Sequence, residues 1–81
     1  MDYRGQITVV TGASSGLGRR LALDLAGQGA TVVAVARRED KLKELGCAYR
    51  VLDVGNVDGF VRLLEDVERE HDRIDLLLNV A

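Results

Sequence analysis

A single cysteine, Cys47, stands among the 81 residues. One cysteine excludes an intramolecular disulfide and fits a reducing, cytoplasmic setting. No partner base lies near it in sequence, so Cys47 reads as a small, half-buried residue at the start of a strand and not as a nucleophile. Long hydrophobic runs are missing as well. The apolar runs, such as Leu76 to Leu78, fall far short of a membrane span, and the opening "MDYRGQ" carries no apolar signal segment. Positive charge is not in excess: 11 basic against 13 acidic residues leave a net charge of −2. No global basic field therefore recruits nucleic acid or an anionic membrane. The one histidine, His71, sits in the polar run "EREHDR" and reads as a solvated helix end rather than a catalytic base. Glu65, Asp66, Glu68 and Glu70 alternate with Arg62, Arg69 and Arg73 around a helix, which makes a solvated charged face and not a metal cluster.

What remains is the composition of an ordinary globular domain, 47% hydrophobic and 30% charged. A chain of this length makes one small domain that buries only about 60–65% of its unfolded surface. Its apolar residues are organised in alternating patterns. "ITVV" (Ile7 to Val10) is a short β-branched strand, buried on both faces as in a parallel sheet. Leu17, Leu21 and Leu25, with Ala22 and Ala26 alongside, make one helical stripe closed by Gly27 and Gly29. "TVVAVA" (Thr31 to Ala36) is a second buried strand, and Glu39 to Leu45 is a short helix ended by Gly46. "AYRVLDV" (Ala48 to Val54) is a third strand. Asn56 or Asp58 then caps a longer helix whose stripe is Phe60, Val61, Leu64 and Val67, and which frays between Glu68 and Arg73. "IDLLLNVA" (Ile74 to Ala81) is a fourth strand.

The order is βαβαβαβ, without linker, repeat or low-complexity segment. Such alternation predicts an α/β fold: a Rossmann-like parallel sheet of about four strands with right-handed crossovers. If the first three strands step one way and the fourth returns beside the first, the third helix lies alone on its face. The fourth strand is then an apolar edge that invites another chain. The pattern is half of a doubly wound fold.

The segment "TVVTGASSGLGRR" (Thr8 to Arg20) carries the chemistry. Gly12, Gly16 and Gly18 follow a strand and open a helix. Gly12 suits a tight turn, Gly16 lets backbone approach a pyrophosphate, and Gly18 allows close helix–strand packing. The helix N-terminus offers free N–H groups and partial positive charge to the anion. Placed inside a βαβ unit the trio is a strong dinucleotide signal, whereas a mononucleotide P-loop would need a Gly-Lys-Ser/Thr where "GRR" stands. Ser14 and Ser15 either add hydroxyl donors to the same phosphate or are ordinary turn residues, and Leu17 belongs to the same turn. At the end of the second strand, where NAD-binding units place a carboxylate, Ala36 is followed by Arg37 and Arg38. An arginine binds a 2′-phosphate with paired charge-assisted hydrogen bonds. Arg37 therefore favours NADP(H) over NAD(H), and Arg38 is a charged helix start.

"TGASSGLG" (Thr11 to Gly18), "LDV" (Leu52 to Val54) and "LLLNVA" (Leu76 to Ala81) together resemble the N-terminal cofactor half of a classical short-chain dehydrogenase/reductase. The resemblance covers essentially the whole chain. It implies that Asp53 binds the adenine amino group, with the backbone of Val54 beside it. It also implies that Asn79 and Ala81 match the first and third positions of the family's NNAG motif and border the adenosine side. Val80 departs from that motif, standing where the second asparagine is usual. The family's catalytic serine, Tyr-x-x-x-Lys pair and further asparagine have no counterpart: four residues after Tyr3 and Tyr49 come Ile7 and Asp53. The chain is thus expected to be a truncated dinucleotide-binding domain over residues 1–81, its catalytic half absent. As such it would be inactive alone, although the family consists of oxidoreductases acting on carbonyl and alcohol groups. The alternative is a non-catalytic nucleotide-binding or self-associating module. On either reading the expected partners are the dinucleotide and a second copy in a homo-oligomer.

Overall fold

The computed structural model describes residues 3–80. Strands β1 (Ile7–Thr11), β2 (Thr31–Ala36), β3 (Ala48–Val51) and β4 (Leu76–Asn79) alternate with helices α1 (Gly16–Gly27), α2 (Glu39–Lys43) and α3 (Val57–His71). All pairings are parallel, in the order β3-β2-β1-β4. β1 is central, with Val10 opposite Ala34 on one side and Leu78 on the other. β1 lies wholly in the interior, as a β-branched strand covered on both faces must.

The two faces are dressed unequally. Val10, Val32 and Ala34 pack under α1 and α2, against Ala22, Leu25, Leu42 and Leu45. Ile7, Val9, Val33 and Val35 face the other way and meet Leu63 and Val67 of α3, with Leu52, Leu64 and Ile74 packed alongside. The expected half of a doubly wound sheet, with its solitary third helix, is therefore present.

The elements differ from expectation in their details. α1 buries Gly18, Ala22 and Leu25. Leu21 is only half-buried and Leu17 is 63% exposed. Small residues bring the helix axis close to the sheet, so the buried stripe runs through them and turns Leu17 outward. α3 is centred on Leu63 and Val67, flanked by half-buried Phe60 and Leu64, while Val61 faces solvent. Asn56 is its cap, the side chain accepting the Gly59 N–H at 3.1 Å. The helix does not fray at Glu68 but runs to His71 and stops at Asp72 in the left-handed conformation. Arg50 of β3 donates to Glu70 at 2.6 Å, and Arg69 pairs with Asp66. These contacts give the final turns partners that local sequence does not reveal.

β3 ends at Val51 and not at Val54, because Asp53 starts a turn: its carbonyl accepts the Asn56 N–H at 2.8 Å. β4 starts at Leu76, after Asp75 has engaged Ile7 in both directions. The Asp75 N–H donates to the Ile7 carbonyl at 2.8 Å, and the Ile7 N–H donates to the Asp75 carboxylate at 2.7 Å. Cys47 lies half-buried just before β3, where burial pushes its thiol pKa up. That protonated, inert state suits a packing residue.

Candidate functional site

The carboxyl ends of β1, β2 and β3 open into a cleft of about 520 Å³. It lies beside the place where the strand order reverses, between β1 and β4, which is where open α/β sheets place ligands. One wall is the turn from Gly12 to Leu17, and the other is built from Ala36–Arg37 and Leu52–Val54.

The turn has its shape because of its glycines. Gly12 sits at φ +65°, and a Cβ there would strike the carbonyl oxygen of Val80. A Cβ on Gly18 would strike the carbonyl oxygen of Gly12, so α1 and the turn are in backbone contact. Gly16 is different. It too is left-handed, at φ +57°, but a Cβ built on it meets no atom within 4 Å. Its bare backbone faces the opening, at the first residue of α1. The initial N–H groups of a helix have no intrahelical acceptors, and the cap residue Ser15 does not satisfy them with its side chain. The cleft therefore presents unscreened donors and the positive end of a helix dipole.

β4 holds the turn from behind. Thr11, fully buried, receives the Val80 N–H on its hydroxyl at 3.0 Å and donates that hydroxyl to Asn79 Oδ1 at 2.6 Å. The Ala13 N–H donates to the Val35 carbonyl at 3.2 Å, fixing the turn to β2 as well.

Opposite the turn, the Leu52 N–H donates to the Ala36 carbonyl at 2.9 Å. That bond sets Arg37 and Asp53 side by side, each one residue further on, with Arg37 Nη1 4.0 Å from Asp53 Oδ2. Both side chains remain mostly exposed. Asp53 Oδ1 also accepts the Gly55 N–H at 2.9 Å.

Gly12, Ser14, Ser15, Gly16 and Leu17 thus meet Arg37, Asp53 and Val54 around one opening. Gly18 and Asn79 lie behind it, packed against the turn and bonded to Thr11 respectively. Ala81 lies outside the described residues. Val35, Ala36, Leu52 and Val80 also line the cleft, although the sequence motifs assign none of them to a binding role. Their signal was position alone, next to motif residues. Thr11, the first residue of the glycine motif, is an anchor that its spacing could have flagged.

Among the described residues no helix is long and apolar enough to cross a membrane. Of the acidic residues of α3, Asp66 pairs with Arg69 and Glu70 with Arg50.

A parallel β3-β2-β1-β4 sheet, helices on both faces and a glycine turn at the switch point define a Rossmann-like α/β unit. A family model described as short chain dehydrogenase matches residues 6–81, and the chain belongs to that family. Dehydrogenase/reductase SDR family member 6 of Xenopus laevis is 43% identical over 81 residues, 95% of this chain and 31% of that protein. Among solved structures, a short chain dehydrogenase from Bacillus anthracis superimposes with a TM-score of 0.86 at 32% identity, over 94% of this chain and 34% of that one. A metagenomic short-chain oxidoreductase in complex with NADP gives 0.86 at 32% identity, over 95% and 39%. The chain spans about a third of the length of such relatives.

Proposed function

We propose that the cleft binds NADP(H) and that the chain is the cofactor-binding part of an oxidoreductase acting on carbonyl or alcohol groups. The observation that carries this reading is the pairing, around one opening, of a bare helix N-terminus with a guanidinium at the end of β2. The donor set fits the group. The open cradle at Gly16, the N–H groups of the first turn of α1 and the hydroxyls of Ser14 and Ser15 suit a pyrophosphate. Arg37 suits a 2′-phosphate, where a carboxylate would repel it. Asp53 and the Val54 backbone suit the adenine edge, and Asn79 and Ala81 border the adenosine side. A bound nicotinamide supplies the hydride chemistry. The residues of this chain bind and orient it, and they include no Tyr-x-x-x-Lys pattern to move a proton. We therefore propose that these 81 residues hold the cofactor without turning it over. The single half-buried thiol suits a cytoplasmic setting.

Calorimetric titration tests the reading. NADPH should bind more tightly than NADH. Arg37→Ala should remove that preference, which we expect to be about tenfold, as befits hydrogen bonds to a charged group. Equal affinities in the unaltered protein would overturn the NADP(H) assignment.

A second role, self-association, is favoured by one feature. Among the described strands β4 has a neighbour on one side only, and Leu77, on the face that α3 covers, is 41% exposed.

A further inference from the structure

The pair formed by Arg37 and Asp53 has consequences that neither residue has alone. Asp53 is the stationary member. Its Oδ1 is held by the Gly55 N–H at 2.9 Å, and its own carbonyl is held by the Asn56 N–H at 2.8 Å. A Cβ on Gly55 would come within 3.2 Å of that same Oδ1, so the carboxylate sits in a fitted turn. Oδ2 is left over and points to Arg37 Nη1 across 4.0 Å. Arg37 is the less restrained member, a long side chain that is 76% exposed and has no other ion-pair partner within reach among the described residues. Both line one cleft.

We propose that Asp53 is a specificity-determining residue which weakens the preference for the phosphorylated dinucleotide by competing for Arg37. This rests on the assignment of the cleft to NADP(H). A 2′-phosphate and the Asp53 carboxylate both bind the guanidinium as anionic acceptors. For the phosphate to be held in paired fashion, Arg37 must loosen its hold on Asp53. The carboxylate also places a negative charge beside the incoming phosphate. A cofactor with a free 2′-hydroxyl meets neither obstacle, and its hydroxyl can donate to a carboxylate. Both effects have the same sign, so the acid lowers the ratio of NADPH to NADH affinity and Arg37 raises it. Contacts of Asp53 with adenine are common to the two cofactors and cancel in that ratio.

The test is a double-mutant cycle on the ratio of dissociation constants, measured by calorimetry without turnover. Asp53→Asn keeps a side-chain oxygen for the Gly55 N–H and removes only the charge, and Asp53→Ser serves as a second variant that also keeps such an oxygen. Both should raise the preference for NADPH about two- to fivefold, the scale of one exposed ion pair, and should steepen its loss with added salt. In an Arg37→Ala background the same substitutions should change the ratio by less than half as much. If Asp53→Asn and Asp53→Ser leave the ratio unchanged while Arg37→Ala abolishes the preference, the competition is refuted and the role of Arg37 stands. If the unaltered protein shows no preference, the NADP(H) assignment fails and this inference fails with it.

Discussion

Gly12, Gly16 and Gly18 share one motif, yet a methyl group would meet something different at each. At Gly18 it meets backbone that cannot withdraw, the Gly12 carbonyl. Gly18→Ala should therefore cost about 2–3 kcal/mol of stability in urea unfolding, the range of overpacking at an unyielding contact. At Gly16 it meets open space, at φ +57°. Gly16→Ala should cost only about 1–2 kcal/mol, the strain of the left-handed region, and leave the fold intact. On the proposed function, NADPH affinity should nonetheless fall at least tenfold, because the methyl would occupy the place assigned to the phosphate. An unfolded Gly16→Ala, or one that binds as before, would contradict that division of labour. Residue identities of this kind were readable from spacing: the three glycines, Arg37 and Asp53 are where the motifs put them. The contact between Arg37 and Asp53 was not readable, because it depends on β2 and β3 running in register, with Ala36 opposite Val51.

Among the elements, β1 and β2 kept nearly the limits that their β-branched runs indicate. Helical faces were harder to place from sequence. Counting large apolar residues at i+4 selects Leu17, Leu21 and Leu25, whereas close packing at Gly18 rotates α1 so that Ala22 and Leu25 bear the contact. In α3 the same counting passes over Leu63, which is buried together with Val67. The entry to β4 rests on Asp75. Its carboxylate accepts the Ile7 N–H at 2.7 Å and the Arg73 Nε at 2.9 Å, while Arg73 also donates to the Gly5 carbonyl at 3.0 Å. The Ile7 N–H first, and Arg73 after it, hold the Asp75 pKa below its ordinary 3.8. The native state thus favours the ionised form, so this contribution is complete above the unfolded-state value and fades as pH falls toward the lower native one. Urea midpoints of the unaltered protein and Asp75→Asn should therefore differ at neutral pH and draw together as pH falls below 3.8. A gap that is constant between those pH values would rule out the charge as its source.

At the scale of the whole molecule, the parallel order follows from βαβ alternation and right-handed crossovers, which leave few alternatives. The sidedness follows from it: two helices on one face, one on the other. An edge strand with exposed Leu77 beside the sparsely covered face should make the chain associate with itself as concentration rises. Sedimentation velocity should show a dimer at high concentration, and Leu77→Lys should shift it toward monomer, since a charge on the contact blunts such an edge. A monomer at every concentration would remove self-association as a role.

The clasp between Thr11 and Val80 joins residues 69 positions apart, and it sets a timetable. On the ribosome the glycine turn emerges before its rear wall, the Val80 backbone, and before Asn79, which holds Thr11. β1 likewise waits for residues 76–79 before its second side is paired. Contacts so distant along the chain form slowly, after the entropy of closing the intervening loop has been met. A growing chain consequently carries its glycine motif without this shape until residues 76–80 have followed it. The turn takes the form described above only once the fourth strand has docked.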